Sequence, residues 1–175
     1  MLQKYNRYRV LKVFIDNPTE SFRLRELSRL VKIAPVSVGN YLKEFEKLGL
    51  IKRYEKRGVP FYQALRDNIK FIRYKKISVI YELYESGLID YLWEKLNPEA
   101  IVLYGSHAKG EAIEDSDIDL FIVGKEKPLS LNEYEKNLGK KIHLMFNHNL
   151  GKVQNELKNN LINGLVLKGY LKVFK

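Results

Sequence analysis

The chain has 175 residues, 45% of them hydrophobic, which suits one medium domain or two small ones, and it contains no cysteine, which excludes disulfides and cysteine-ligated zinc. Its net charge of +10 is unevenly spread: residues 1–66 hold 15 Lys+Arg against 6 Asp+Glu, whereas residues 67–175 hold 16 against 15. No apolar run approaches the length of a bilayer span, and Met1–Tyr5 lack the apolar stretch of a signal peptide, so a soluble, cytoplasmic protein without a membrane partner is expected.

Eight of the nine arginines precede position 67. Arginine makes forked contacts with phosphate, so the first part of the chain is expected to face a polyanion, unless its basic face is merely solvated. Residues 4–16 place Tyr8, Leu11, Phe14 and Ile15 at helical spacing and stop at Asn17-Pro18. A second short helix puts Leu24, Leu27, Leu30 and Val31 on one face and Arg23, Arg25 and Arg29 outside it. Pro35 opens a third helix, which buries Val38, Tyr41, Leu42, Phe45 and Leu48 and stops at Gly49. Its other face offers Ser37, Asn40, Lys43 and Lys47, groups able to reach base edges and phosphates. Leu50–Glu55 and Pro60–Leu65 then read as two strands joined by a basic turn, Lys56-Arg57-Gly58.

Three helices followed by a hairpin, over about residues 5–66, resemble the winged helix-turn-helix domains of small microbial transcription regulators. The resemblance implies that the helix from Pro35 enters the major groove of double-stranded DNA through Ser37, Asn40 and Lys43, while Arg57 at the wing tip rides the backbone. The alternative is a winged helix used only for protein contacts. Residues 67–97 read as a helical connector: a long helix over 69–86, apolar at Ile69, Ile72, Val79, Ile80, Leu83 and Tyr84, then a shorter one over Leu88–Leu96. Its stripe fits either a homodimer seam or packing on the chain's own domains.

The segment richest in chemistry is Ala100–Ser106, an apolar strand closed by Gly-Ser, followed after ten residues by Asp117-Ile118-Asp119 at the head of another apolar strand. Carboxylates at i and i+2 of a strand share a face and repel unless a cation sits between them; Mg²⁺, which favours oxygen ligands and keeps phosphate in its shell, suits that place. Gly105 lets backbone approach a phosphate, Ser106 adds a hydroxyl and opens a helical turn, and Lys109 adds a point charge.

GSHAKGEAIEDSDIDLFIV resembles the nucleotidyltransferase superfamily that includes DNA polymerase beta, and the likeness extends over about residues 88–175. The matching residues are Gly105, Ser106, Asp117 and Asp119. The resemblance implies metal-dependent transfer of a nucleoside monophosphate from a nucleoside triphosphate to an acceptor, with Mg²⁺ or Mn²⁺ held by Asp117 and Asp119. A helix over Leu131–Leu138, a strand over Lys141–Phe146 and a helix over Val153–Ile162 complete the small α/β unit. The family places a third carboxylate in that later strand; here the site-facing position is His143, either a general base or a structural residue. Glu133 and Glu135 are weak substitutes for the missing acid. His107 is expected to face solvent, or else to touch a phosphate, and His148 to lie in a loop, Asn147-His148-Asn149.

The expectation is therefore an α+β chain: a winged-helix domain at 1–66, a connector at 67–97 and a nucleotidyltransferase-fold domain with a small mixed sheet at 98–175. Functionally, it is a nucleotidyltransferase carrying a DNA-binding domain. Alternatively, it is a transcription regulator whose second domain binds nucleotide or mediates assembly without turnover. A protein acceptor and a homodimer both remain open.

Overall fold

The computed structural model describes residues 5–148 and 153–172. The chain forms two compact units, Met1–Ser78 and Val79–Lys175. Their boundary falls inside one long helix, so the segment expected as a separate connector is divided between them.

The first unit runs α1 (Asn6–Asp16), β1 (Ser21–Phe22), α2 (Leu24–Val31), α3 (Pro35–Lys47), β2 (Ile51–Lys56) and β3 (Val59–Ala64). Its core is built from one face of each helix: Val10 and Phe14 of α1, Leu27 and Val31 of α2, and Val38, Leu42 and Phe45 of α3. Val38, Leu42 and Phe45 recur at helical spacing and are fully buried. Truncating Phe45 to alanine would cost about 3–5 kcal/mol. Helix α2 closes with Lys32 in the left-handed region, φ 52°. The Ile33 N–H donates to the Ser28 carbonyl at 3.1 Å, and the Ser28 hydroxyl donates to the Ile33 carbonyl at 2.6 Å. This tight closure lets α3 begin at Pro35, where the missing N–H has no helical partner to lose. At the other end of α3, Gly49 N–H to Glu46 and Leu50 N–H to Phe45 form the paired closing bonds of a Schellman motif.

The strands of this unit form an antiparallel sheet in the order β1-β3-β2. Lys56 pairs with Val59, so the hairpin loop is the two residues Arg57 and Gly58, both at positive φ, 53° and 70°. That is the primed turn whose twist matches the strands; a left-handed arginine is tolerated beside a glycine that has no such penalty.

The second unit contains α5 (Leu88–Leu96), β4 (Ala100–Tyr104), α6 (Gly105–Lys109), β5 (Ile118–Val123), α7 (Asn132–Leu138), β6 (Ile142–Asn147), α8 (Asn155–Ile162) and β7 (Leu165–Gly169). It also takes in the end of α4 (Ile69–Glu85). Its four strands form a mixed sheet in the order β6-β5-β4-β7, with β6 parallel to β5 and the other pairs antiparallel. Strand alternation divides the core. Ile101, Leu103, Leu120 and Ile122 pack with Leu88, Leu92 and Leu96 of α5 on one face. Ala100, Val102, Tyr104 and Phe121 pack with Leu161 of α8 on the other. Among the described residues, no helix is long and apolar enough to cross a membrane.

Several local expectations are corrected. Leu30 is 58% exposed, because the eight-residue α2 buries only a narrow stripe through Leu27 and Val31. On α4 the buried hydrophobic residues are Phe71, Val79 and Leu83, with Lys75 and Ser78 buried beside them, while Ile69 and Tyr84 are exposed. Strands β1 and β7 were not among the expected elements: β1 is two residues long, and the apolar run of β7 is only Leu165-Val166-Leu167 before Lys168-Gly169. Helix α8 begins at Asn155, two residues after the expected Val153. His148 is exposed after β6; Asn149 of the same expected loop lies outside the described residues.

Candidate active site

Three neighbouring strands place Tyr104, Asp119 and His143 in one row. Tyr104 of β4 is directly opposite Asp119 of β5, and Asp119 is level with His143 of β6. Alternation turns all three toward the same sheet face. His143 Nδ1 lies 3.5 Å from Asp119 Oδ1, an ion-pair distance when the imidazole is protonated. The Asp119 side chain is 28% exposed and that of His143 61%, so the carboxylate sits on the inner side of the pair.

Gly105 explains how the turn after β4 comes so close to that carboxylate. Its φ is +70°, and a Cβ there would lie 2.4 Å from Asp119 Oδ2. Any side chain at 105 would therefore displace Asp119 as well as strain the backbone. Burial raises the Asp119 pKa from its ordinary value; His143 opposes the rise, and the nearby charge of Asp117 adds to it. Burial, and secondly the Asp119 charge, also raises the Tyr104 pKa.

Asp117 is exposed just before β5, two residues from Asp119, and acts on it electrostatically. Its approach to the strand is tied down by an unexpected group. His107, expected to face solvent, is only 7% exposed, and its Nε2 lies 3.3 Å from the Ser116 carbonyl oxygen. The Ser116 hydroxyl in turn accepts the Ile113 N–H at 2.8 Å. The reason is compactness: the Ser106 carbonyl accepts the N–H groups of Glu111 and Ala112, folding the loop back over α6. Ser106 is half-buried, and Lys109 stands exposed at the end of α6.

Neither glutamate of α7 fills the place of a third acid. Glu133 is exposed. Glu135 is committed to structure: its Oε1 accepts the Ile142 N–H at 3.0 Å, and its Oε2 meets Lys141 Nζ at 3.1 Å. Those bonds pin α7 to the first residue of β6 and hold the Glu135 carboxyl below its ordinary pKa, the backbone N–H being the larger cause. No group of three or more His, Asp or Glu side chains close enough to hold a metal occurs among the described residues.

The residues expected at a nucleic-acid surface lie in the first unit. Asn40 and Lys43 are exposed on α3, Ser37 on the same stripe is half-buried, and Arg57 is exposed at the hairpin turn. Glu44, beside Lys43, is neutralised by Arg7 at 2.6 Å.

Sequence reasoning missed Tyr104 and the inward turn of His107. The first has a retrievable signal: the strand closed by Gly105 must pair beside the Asp-x-Asp strand for the two motifs to meet, which puts the residue before Gly105 against Asp119. The second has none, since it depends on how the loop folds back.

The family model described as Polymerase beta, Nucleotidyltransferase matches residues 86–169. The match takes in α5 through β7, including the whole four-stranded sheet and every residue of the row described above. It supports the nucleotidyltransferase superfamily for this segment and leaves the first unit outside. No curated protein and no solved structure matches the chain.

Proposed function

We propose that the second unit binds a nucleoside triphosphate with a divalent cation at Asp117 and Asp119 and transfers its nucleoside monophosphate to an acceptor hydroxyl. The first unit is a winged-helix domain that holds the protein on double-stranded DNA. The observation that carries the reading is Asp119: a partly buried carboxylate, pressed by the Gly105 backbone and destabilised by burial and by Asp117, is relieved by a cation.

The donor set fits such an ion. Two carboxylates from the protein, with the remaining positions left to water and phosphate, are what Mg²⁺ ordinarily takes. Mn²⁺ fits the same oxygens and tolerates a nearby imidazole better. When bound, the cation supplies charge neutralisation on the phosphates. The chain's own residues do the rest. Gly105 and Ser106 admit the phosphate chain against the backbone, and Lys109 adds a positive charge at its margin. His143, with Nδ1 toward Asp119, keeps Nε2 for the acceptor's proton. The acceptor oxygen bonds to the α-phosphorus, the bond to the bridging oxygen breaks, and pyrophosphate leaves.

One observation favours a second reading. The position level with Asp119 on β6 is His143 rather than an acid, and Glu135 is held in a structural bond. In that reading the unit binds nucleotide without turnover, and the protein is a DNA-binding regulator. Incubation with each labelled nucleoside triphosphate and Mg²⁺ or Mn²⁺ separates the two. Pyrophosphate release that disappears in Asp117→Ala/Asp119→Ala supports transfer; nucleotide binding without release supports the regulator; no binding defeats both.

A further inference from the structure

The sheet of the first unit has a face that duplex binding through α3 leaves unused. Ile51 and Ala64 belong to the core. Alternation therefore turns Lys52, Tyr54 and Lys56 of β2, and Phe61 and Gln63 of β3, outward. Tyr54 and Phe61 are register partners, with ring centroids 5.9 Å apart and planes within 20° of parallel. The Tyr54 hydroxyl reaches across to β1 and donates to Ser21 Oγ at 2.9 Å, which draws the ring down along the sheet. The Arg23 guanidinium lies over the Phe61 ring, 5.0 Å from its centre. Lys52 and Lys56 are exposed on either side. Beside Lys52 opens a cavity of about 370 Å³, whose lining includes Gln63, Arg66 and Asp67.

A cross-strand aromatic pair can stabilise a hairpin by itself. It does not require that every charge on the outward positions of both strands be positive. The one acid of β2, Glu55, belongs to the other face and pairs with Arg53 at 3.0 Å. The outward face thus combines ring surfaces with cations, the pairing that takes unpaired bases and their phosphates. Bases inside a duplex have their faces covered by neighbours and gain nothing from such a ledge.

We propose that this outward sheet face binds single-stranded DNA, with a base on the Tyr54 ring, which Phe61 backs, and phosphates at Arg23, Lys52 and Lys56. The inference deepens the DNA-binding reading by adding an unpaired strand to the duplex, and it can fail separately. DNA is the strand proposed because the two neutral side chains best placed to read a 2′-hydroxyl already donate elsewhere, the Tyr54 hydroxyl to Ser21 and Gln63 Nε2 to the Thr19 carbonyl at 3.0 Å.

The test is fluorescence anisotropy on the full chain with labelled oligothymidylate, oligouridylate and a DNA duplex, with melting temperature followed for each variant. Tyr54→Leu should weaken oligothymidylate binding about tenfold and leave duplex binding unchanged, while Tyr54→Phe, which keeps the ring, retains affinity. Asn40→Ala should leave oligothymidylate binding unchanged and lower only the preference among duplex sequences. Should Tyr54→Leu melt the hairpin, Lys52→Gln/Lys56→Gln decides: it should flatten the salt dependence on the single strand by a slope of about 1.4. Absence of oligothymidylate binding, or equal binding by wild type and both sets of variants, overturns the site. Tighter binding of oligouridylate overturns its assignment to DNA. Loss of duplex binding alone would instead defeat the α3 reading and leave this face standing.

Discussion

In the first unit the residues proposed to meet a ligand, Asn40, Lys43 and Arg57, stand exposed on a helix and a turn whose opposite sides form the core. In the second unit Asp119 and Tyr104 lie within the sheet itself, level with one another on adjoining strands. The difference has an energetic consequence. A surface group can be replaced without disturbing packing, whereas a carboxylate set among β-strands weighs on the fold it belongs to. Binding and stability should therefore separate cleanly in the first unit and be coupled in the second.

The largest effect expected is on nucleotide binding. Asp117→Ala/Asp119→Ala should abolish metal-dependent binding of nucleoside triphosphate in a calorimetric titration and leave duplex affinity at the wild-type value. A fall in both would break the comparison, because it would mean that the units do not act as separate surfaces. Next is Gly105→Ala. The new methyl meets Asp119 Oδ2 at 2.4 Å from a backbone at φ +70°. The left-handed conformation alone costs about 1–2 kcal/mol for a residue with a Cβ. Thermal melting should show a loss at least that large, together with loss of nucleotide binding. A stable Gly105→Ala protein that still binds nucleotide would sink the coupling between turn and carboxylate.

For the first unit the expected effects are on binding alone. Asn40→Ala should reduce the preference for one DNA sequence by about 1–3 kcal/mol. Arg57→Ala should weaken binding to every sequence alike and reduce the salt slope by about 1, as expected for a lost phosphate contact. Both proteins should melt with the wild type. Titrations at two salt concentrations separate base reading from backbone contact, and equal loss of preference in both variants would refute the division of roles.

What was legible in the sequence follows the same division. The helices of the first unit were readable because Val38, Leu42 and Phe45 recur at the spacing of one helix face, and the hairpin because Gly58 marks its turn. Leu30 misled because a short helix does not bury every apolar residue near its stripe. In the second unit Gly105, Asp117 and Asp119 were readable as a motif, since their order and the flanking apolar runs appear in the chain itself. The place of His143 beside them came from the family resemblance; the meeting with Tyr104 depends on pairing β4 antiparallel to β5, which follows only once the two motifs are required to meet. His107 was misread for the same kind of reason: its burial depends on Glu111 and Ala112 folding back to the Ser106 carbonyl.

The smallest effect expected sets two carboxylates of the second unit against each other. Asp119 has its pKa raised in the folded protein, chiefly by burial, so folding disfavours its ionised form. Where both states are protonated it adds nothing; as pH rises from the unfolded pKa through the folded one, stability is lost. Glu135 has its pKa lowered, chiefly by the Ile142 N–H, so its contribution is present above the unfolded pKa and is lost as pH falls through the folded value. The isosteric amides should therefore move in opposite directions. In the absence of nucleotide and metal, Asp119→Asn should melt above the wild type at neutral pH, and Glu135→Gln below it. Both differences should shrink toward zero in acid, where the wild-type carboxyls are themselves neutral. Melting curves across the acid-to-neutral range test this directly. If Asp119→Asn is instead the less stable protein at neutral pH, His143 holds the carboxylate more strongly than burial opposes it, and Asp119 is a structural ion pair rather than a site waiting for a cation.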